Sequence, residues 1–525
     1  MSASDANKDS QQRTLEEYDD LVYPSGVYYF THPDRLAVTA ALNGFEPASV
    51  SECRVLELGC SDGGNLHAMA SILPNAEFVG VDLSPKQIEI ANAAKNDQSL
   101  DNLQFLAKSF TDIGDELGKF DYIIAHGLFS WIPQPLQDEL LSACSRLMSE
   151  KGLAYISYNV EPGANEKMWL RQKLLFHVRN IENTRERAKA AWDFVHFIAK
   201  VQEVQSGPFE GYLKRIIAES KKLVDPLAYF YHEYLEIENH SLMLVDFVAK
   251  ARTAGLDYVG EACPRNTTLA GIDPGLANVI SRFSNDSIEQ EQYIDLALET
   301  GFRRAILCRS DQNLQRTSSP VFQGDWYASC SGSSSESGDD GSRSFSIKGR
   351  RTYRTSDPST IHVLDILTNR WPASCTLKEL QNGLVAPEGS SVEQELHEVL
   401  WSLHLDEIIS LHKYRFPVAT EITAKPKMTC NARLGAKQGQ YVSSIQHSGV
   451  SLDDPVASIV LSHLDGNHDR AALINILLQA SREGKIGIQV QDSPLHDLPN
   501  ADQVAGQIVE EELTKARDLG MLLAE

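Results

Sequence analysis

Residues 53–85 read CRVLELGCSDGGNLHAMASILPNAEFVGVDLSP, and this stretch decides the fold. A strand of branched residues at 55–58 leads into a glycine-rich turn, GCSDGG at 59–64, and a helix follows the turn. A second strand, at 78–81, ends in the acid Asp82. Strand, glycine turn, helix and second strand in this order form half of a doubly wound α/β sheet. In such a sheet the ligand lies at the carboxyl ends of the strands.

The residues of this turn predict a nucleoside ligand. Gly59 and Gly63 allow a tight turn and a close approach of the backbone to a ligand, because a Cβ there would clash. Asp82 lies 19 positions after Gly63, where a carboxylate can accept both hydroxyls of an adenosine ribose. Ser61 replaces the second glycine of G-x-G-x-x-G, and Glu57 would repel a pyrophosphate but suits a cationic methionine. Both residues favour S-adenosylmethionine (SAM) over NAD.

Each of these residues also has an ordinary structural explanation. A glycine turn after a strand is often only a tight connection, and an acid at a strand end often caps a helix. The order ELGC…GG…VGVDLS is nevertheless typical of the first motif of SAM-dependent methyltransferases, so we interpret the chain as an enzyme. The predicted cofactor-binding residues are Glu57, Gly59, Cys60, Ser61, Gly63, Asn65, Asp82, Leu83, Ser109, Phe110 and His126, and no metal ligand is predicted.

Three further strands are predicted at 103–106, 120–125 and 153–158. Ser109 follows the third strand, where enzymes of this class usually have an acid that binds the adenine amine. Asp112 is an alternative acceptor for that amine, or else a helix cap.

The segments after strands four and five supply the candidate catalytic residues. Methyl transfer is an in-line displacement, and a lysine acceptor with a pKa near ~10.4 must first lose its proton. Aromatic side chains tolerate such a cation, an amide oxygen can orient the amine, and an imidazole can act as general base. A purely structural role, in the core or at a strand end, is the alternative for Trp131 and His126. The candidates are Tyr158, Asn159, His126 and Trp131, with Phe129 beside them.

Composition narrows the class of protein. A chain of 525 residues with 42% hydrophobic residues predicts about three or four packed domains. The absence of an apolar run of ~18–20 residues and of an apolar leader predicts a cytoplasmic protein without a membrane span. Eight scattered cysteines predict reduced thiols rather than zinc sites or disulfides. The net charge of −24 opposes nucleic-acid binding; it favours a basic substrate or simply keeps the protein soluble.

The pattern along the chain predicts a Rossmann-like methyltransferase sheet with a helical insert, followed by two winged-helix-like C-terminal domains. The aromatic-rich segment 15–50 is either a lid over the ligand or core. The insert is read as one helix at 166–205 and a second at 212–223, for dimerisation or substrate contact. The predicted domains are methyltransferase 1–164 and 241–310, insert 165–240, low-complexity linker 311–345, middle winged-helix-like domain 346–425 and C-terminal domain 426–525.

Several motifs carry a resemblance to one family. They are Tyr18-Asp19…Tyr23-Pro24, THPDRL (31–36), VLELGCSDGGNL (55–66), DYIIAHGLFSWIP (121–133), YHEYLEIEN (231–239), AGLDYVGEA (254–262) and EQYIDLALETGFRRAILCR (291–309). With them the chain resembles bacterial class I methyltransferases that carry a methyltransferase regulatory domain, here at about 225–309. The best-described members are rickettsial-type protein lysine methyltransferases that act on outer-membrane protein.

The resemblance implies a homodimeric, SAM-dependent enzyme that methylates lysine side chains of a protein, without membrane insertion. One departure concerns the acceptor. After strand five the family usually reads YNTYPGWH, whereas residues 158–165 here read YNVEPGAN. Two alternatives therefore remain: a small-molecule N- or O-methyltransferase with C-terminal scaffold domains, and a binding protein that retained the fold without catalysis.

Overall fold

The structure is a computed structural model that describes residues 26–220, 225–312, 314, 322–335, 341–347, 352–439, 441–452, 454–490 and 493–524. The predicted lid aromatics Tyr18 and Tyr23 lie outside the described residues.

The methyltransferase domain is built on one eight-stranded sheet in the order β3-β2-β1-β4-β5-β8-β7, with β6 beside β5. Strands β1 to β5 are parallel, and β8 runs antiparallel to β5 and β7, so the sheet ends in an antiparallel pair. The strands are Arg54–Leu58 (β1), Glu77–Asp82 (β2), Leu103–Ala107 (β3), Phe120–Ala125 (β4), Met148–Val160 (β5), Ser241–Leu242 (β6), Leu256–Glu261 (β7) and Phe302–Arg309 (β8).

Helices cover both faces of this sheet, which is why its central strands are almost continuously apolar and buried. The helices are Pro33–Leu42 (α1), Gly64–Ala70 (α2), Pro85–Gln98 (α3), Gln134–Leu147 (α4), and, after the insert, Leu244–Thr253 (α9), Pro274–Ile280 (α10) and Ser287–Leu298 (α11).

The insert contains four described helices: Asn165–Val178 (α5), Thr184–Gln205 (α6), Glu210–Ser220 (α7) and Pro226–Tyr234 (α8). The single helix predicted at 166–205 is therefore wrong. Asn183 has an extended backbone, and its side chain accepts a hydrogen bond from the Glu186 backbone, so it starts a new helix inside the predicted one. Apolar residues of α5, α6 and α8 pack around Leu174, Val195 and Phe230 in a core of their own.

The predicted linker is wrong over part of its length. Strands Tyr327–Ser329 (β9), Gly332–Ser334 (β10) and Arg343–Ile347 (β11) lie within or across residues 311–345, whereas 336–340 lie outside the described residues. Ala328 and Cys330 are buried in the core of the middle domain. β9 is the central strand of a three-stranded sheet, between the strands Cys375–Thr376 and Ser410–His412. The serine-rich composition of this stretch is typical of a linker. The sequence gives no local sign of β9, because its partner strands lie far along the chain.

The remaining elements of the middle domain surround these strands. They are Thr352–Thr355 (β12), Pro358–Arg370 (α12), Cys375–Thr376 (β13), Leu377–Gln381 (α13), Val392–Leu405 (α14) and Ser410–His412 (β14).

The C-terminal domain combines four helices with two short hairpins around an apolar core. Its elements are Cys430–Gln438 (α15), Tyr441–Ser443 (β15), Gly449–Ser451 (β16), Pro455–Ser462 (α16), Arg470–Arg482 (α17), Gln489–Val490 (β17), Ser493–Pro494 (β18) and Ala501–Asp518 (α18). None of the helices in the described ranges combines the length and apolarity that a membrane span requires.

Both C-terminal domains dock on the methyltransferase domain. Asp34 of the THPDRL motif accepts hydrogen bonds at Oδ1 from the backbones of Lys413 and Tyr414, at 2.7 and 2.8 Å. Ile445 of the C-terminal domain packs in one apolar cluster with Ile72, which follows α2. This docking brings residues distant in sequence close to the edge of the sheet where the ligand crevice lies.

Candidate active site

A cavity of about 650 Å³ opens at the carboxyl ends of the parallel strands. Its inner wall comes from the turns after β1, β2, β3 and β4, and its outer wall comes from the helical insert. Of the predicted site residues, it is lined by Glu57, Gly59, Cys60, Ser61, Asn65, Asp82, Leu83, Ser109, Phe110, His126, Trp131 and Asn159.

The two glycines of the first turn have different roles. Both have a left-handed backbone, with φ of +76° at Gly59 and +77° at Gly63. Gly59 lines the cavity, whereas Gly63 does not. A Cβ on Gly63 would lie 2.4 Å from the ring of Phe105. Gly63 is therefore needed for the turn and for packing against β3, and its contact with the ligand stays a prediction.

Asp82 presents a carboxylate whose position is fixed by the backbone. Oδ2 accepts a hydrogen bond from the Ser61 backbone and Oδ1 accepts one from the Ser84 backbone, both at 2.9 Å. Because each oxygen can accept more than one hydrogen bond, the carboxylate can still receive hydroxyl donors from the cavity.

Glu57 is the most unusual charged group of the cavity. Its side chain is 3% exposed, and burial raises its pKa to about 8. Oε1 accepts a hydrogen bond from Asn65 Nδ2 at 2.8 Å, and Oε2 has no hydrogen-bond partner within the described part of the chain. An unpaired buried oxygen of this kind favours a cationic or hydrogen-bond-donating ligand.

The turn after β3 offers a hydroxyl and a ring to the cavity. Ser109 Oγ accepts a hydrogen bond from the Thr111 backbone at 3.3 Å and so caps a short helical turn. Phe110 lies beside it in the cavity wall. Asp112 is exposed and does not line the cavity, so the structure gives no support to its role as a substitute for the missing acid.

His126 lies between aromatic and hydroxyl groups. Its ring centroid is 4.1 Å from that of Tyr28, and Nδ1 lies 3.1 Å from Tyr155 Oη and 3.2 Å from Ser157 Oγ. Burial, with a smaller effect of Arg304, lowers its pKa to about 4. An imidazole with so low a pKa is a poor acceptor for a lysine proton, which favours a contact role over general-base catalysis.

Neighbouring residues of β5 point to opposite sides. Asn159 lines the cavity, and its Nδ2 donates to Asn239 Oδ1 at 3.1 Å, so the amide oxygen is the acceptor it can offer. Tyr158 is 1% exposed, does not line the cavity and stacks on Phe247 with a centroid distance of 4.2 Å. Phe129 is buried in the same cluster. The predicted placement of Tyr158 beside the acceptor is therefore corrected to a core position.

The outer wall contains residues that the sequence analysis did not select. The Lys167 ammonium lies 4.9 Å from the centroid of the Trp131 ring and forms an ion pair with Glu233. The motif YHEYLEIEN supplied a signal for Glu233 and for its neighbour His232. Further residues of the insert on this wall are Glu166, Tyr212, Arg215, Tyr229 and His232.

Part of the predicted lid also reaches the cavity. Tyr28 lines it, and the Tyr28 backbone donates to Asn65 Oδ1 at 3.2 Å. Tyr29 and Phe30 contact other groups, Ser410 Oγ and the Arg304 guanidinium respectively. The described part of the segment 15–50 thus contributes to the cavity wall and also to packing elsewhere, and its role as a lid stays a prediction.

Comparisons with known proteins define the class of this protein. Three family profiles match the chain: a "methyltransferase domain" at 49–220, a "predicted methyltransferase regulatory domain" at 226–309, and a "PKMT, C-terminal winged helix domain" at 424–521. The fold and the cavity are thus those of a class I methyltransferase.

Two similar curated proteins come from Rickettsia prowazekii (strain Madrid E). Uncharacterized protein RP789 is 29% identical over 496 residues, which are 89% of this chain and 87% of that protein. Uncharacterized protein RP028 is 32% identical over 237 residues, which are 45% of this chain and 93% of that protein.

Two similar solved structures are of PKMT2 from Rickettsia typhi, one of them in complex with AdoHcy. Each is 23% identical and covers 95% of this chain and 99% of its own, with TM-scores of 0.81 and 0.82.

The chain belongs to the family of methyltransferases that combine a class I catalytic domain, a methyltransferase regulatory domain and a PKMT-type C-terminal winged helix. It is a SAM-dependent methyltransferase.

Proposed function

We propose that this protein transfers the methyl group of SAM to lysine side chains of a protein substrate. The observation that carries the proposal is the outer wall of the cavity, where a lysine ammonium, that of Lys167, already lies between the Trp131 ring and the Glu233 carboxylate. This wall faces the same cavity as Glu57 and Asp82. An amine brought to this wall would approach the cofactor crevice directly.

The inner residues fit SAM. The unpaired Oε2 of Glu57 suits the methionine ammonium, and the anchored carboxylate of Asp82 suits the ribose hydroxyls. Gly59 lines the cavity between them in sequence, and its left-handed backbone, with φ of +76°, favours a glycine there. Ser109 and Phe110 would contact the adenine. When bound, SAM supplies an electrophilic methyl group on a sulfonium.

The acceptor residues orient the amine and favour its neutral form. Trp131 gives an apolar, cation-tolerant face, and the Asn159 amide oxygen accepts an N–H of the amine. Partial burial beside a positive sulfonium lowers the pKa of the acceptor lysine, so the proton leaves to solvent before transfer. We assign no general-base role to His126, because its low pKa keeps it neutral without making it a useful base.

A protein substrate is also consistent with the comparisons and with the charge of the chain. The similar PKMT2 of Rickettsia typhi and the PKMT-type winged helix point to protein lysine as the acceptor class. The net charge of −24 favours a lysine-bearing surface over an acidic one.

We further propose that the insert mediates homodimer formation. It exposes large apolar side chains at Phe176, Phe197 and Val204, with 66%, 60% and 74% of their surface accessible. Exposed apolar groups that cluster on one module are typical of interaction sites.

The proposal extends to the middle domain and to the cellular location. Helices α12, α13 and α14 with the sheet β13-β9-β14 support a second winged-helix-like domain. All eight cysteines are free, which suits the reducing cytoplasm.

The first test is calorimetric titration of the purified protein with SAM. We expect binding that is lost in Asp82→Ala. Failure of the folded wild type to bind SAM would refute the proposed cofactor site.

The second test identifies the acceptor. Lysates are incubated with labelled SAM and the enzyme, and methylated residues are located by mass spectrometry. We expect methyl-lysine in protein. Trp131→Ala should raise the KM for that protein with little change in SAM affinity, and Trp401→Ala in the middle domain serves as the matched control. Label only in small molecules would support the small-molecule alternative and contradict the lysine acceptor.

A further inference from the structure

The C-terminal domain contributes a side chain that touches the wall of the cofactor cavity. His447 lies in the turn between β15 and β16 and is 0% exposed. Its Nε2 lies 2.8 Å from Oδ1 of Asn65, a residue 382 positions away that lines the cavity. A residue of the winged helix is thus a direct neighbour of the methyltransferase site.

His447 is connected to Glu57 through Asn65 by two hydrogen bonds, and the donor of each bond is defined. Asn65 Nδ2 donates to Glu57 Oε1 at 2.8 Å, which turns Oδ1 toward His447. An amide oxygen can only accept, so His447 Nε2 is the donor. The Tyr28 backbone and the Thr31 hydroxyl also donate to this oxygen, at 3.2 and 3.3 Å, and the bond from His447 is the shortest of the three. His447 therefore helps to hold the amide in the orientation that fixes the Glu57 carboxylate.

The backbone of His447 is in an unfavourable conformation that the surrounding loop maintains. Its φ is +59°, in the left-handed region that non-glycine residues rarely adopt. Ile445 N donates to Gly520 O at 2.9 Å, and Gln446 Nε2 donates to Pro372 O at 3.1 Å. Local strain held in place by two domains is often associated with a functional position.

The His447 ring donates its hydrogen bond to Asn65 in the neutral form, so it places no positive charge near the site. Burial, with smaller effects of His32 and Arg35, lowers the pKa of His447 well below its ordinary value. The ring is therefore neutral at physiological pH and does not repel a cationic ligand at Glu57.

We propose that His447 is a positioning residue for the cofactor: through Asn65 it fixes the Glu57 carboxylate that binds the methionine end of SAM. The docked C-terminal domain thereby sets the affinity of the methyltransferase domain for its cofactor. This inference rests on the proposed assignment of Glu57 to the cationic end of SAM.

The test compares the binding of SAM and of adenosine, which lacks the methionine end, by calorimetry on the full chain. His447→Asn removes the bond to Asn65, because the asparagine side chain is too short to reach it. Asparagine also tolerates a left-handed backbone, so the conformation of the loop is retained. We expect SAM to bind about 10-fold more weakly, as for loss of one hydrogen bond, and adenosine to bind as in the wild type. The KM for SAM should rise with kcat little changed.

Three further single variants and one double variant separate positioning from structural support. His447→Gln places an amide N–H near the position of Nε2 and should restore SAM affinity to within about 3-fold of the wild type. Gln446→Ala removes the neighbouring bond between domains and should bind SAM normally. Asn65→Ala should weaken SAM binding, and adding His447→Asn to it should have no further effect, because the two residues act in series.

The outcomes are distinct. A wild type that does not bind SAM refutes the proposed cofactor site, and this inference with it. A wild type that binds SAM while His447→Asn binds it equally well refutes the inference alone. Equal loss of SAM and adenosine in His447→Asn, or an equal effect of Gln446→Ala, would show that the loop only supports the fold.

Discussion

Replacing Glu57 with glutamine should stabilise the protein and weaken its cofactor binding. Burial raises the pKa of Glu57 from 4.5 to about 8, so folding takes up a proton at this carboxyl between these two pH values. The stability that comes from the protonated form is fully present below pH 4.5 and is lost as the pH rises through about 8. Glutamine has the same shape, keeps the oxygen that accepts from Asn65 Nδ2, and does not titrate.

The magnitude follows from the slope of about 1.4 kcal/mol per pH unit that one proton contributes. Between pH 6 and pH 9 the unfolding free energy of the wild type falls with this slope over roughly two pH units, because above the pKa of about 8 the carboxyl is ionised in the folded protein as well. Between pH 6 and pH 9 the wild type should therefore lose about 3 kcal/mol of unfolding free energy relative to Glu57→Gln.

The assay is urea denaturation of both proteins without ligand at pH 6 and pH 9. Parallel pH profiles of the two proteins would refute the reasoning, since they would mean that Glu57 does not carry the raised pKa. SAM affinity of Glu57→Gln should fall by about 10-fold or more, as expected when a hydrogen bond to a charged group is lost. Binding of SAM to the wild type should release a proton near pH 7, measurable from the dependence of the calorimetric heat on the buffer.

Three other predictions concern packing and charge. Gly63→Ala should lower the free energy of unfolding by about 1–3 kcal/mol more than Gly439→Ala, because both backbones are left-handed but only Gly63 has an aromatic ring within 2.4 Å of a Cβ; equal losses would contradict this. Arg303→Met should cost about 3–5 kcal/mol in urea denaturation, since it removes the ion-pair partner of three buried carboxylates, whereas Arg54→Met at the surface should cost under about 1 kcal/mol. His126, with its pKa lowered to about 4, contributes stability that is present above pH 6.5 and is lost as the pH falls toward 4. The melting temperature of His126→Gln should therefore fall less steeply with decreasing pH than that of the wild type. An equally steep fall in both proteins would argue against the low pKa.

Much of the catalytic fold could be predicted because its signals are local. The glycine turn, the apolar strands and the acid at the end of β2 lie within 33 residues, and each reports on backbone conformation or burial at its own position. Four of the five predicted strands agree with the structure to within one residue at each end, and the fifth, predicted at 153–158, is longer and spans Met148–Val160. Predictions failed where a short polar signal, such as the helix cap at Asn183, interrupts an apolar pattern.

The positions of β9 and His447 depended on the tertiary structure. β9 lies in a serine-rich stretch and pairs with strands about 50 and 80 residues further on, and His447 meets Asn65 across 382 positions. Contacts of this kind are determined by how whole domains dock, and a sequence window contains neither partner's position.

The adjacent residues Tyr158 and Asn159 also show what the sequence predicts and what only the tertiary structure decides. The sequence by itself determined that a strand ends there, beside the cofactor crevice. Because side chains alternate along a strand, one of the two must face the cavity and the other the opposite side. Only the packing of α9, which places Phe247 against Tyr158, decided that the tyrosine is buried and that the asparagine faces the cavity.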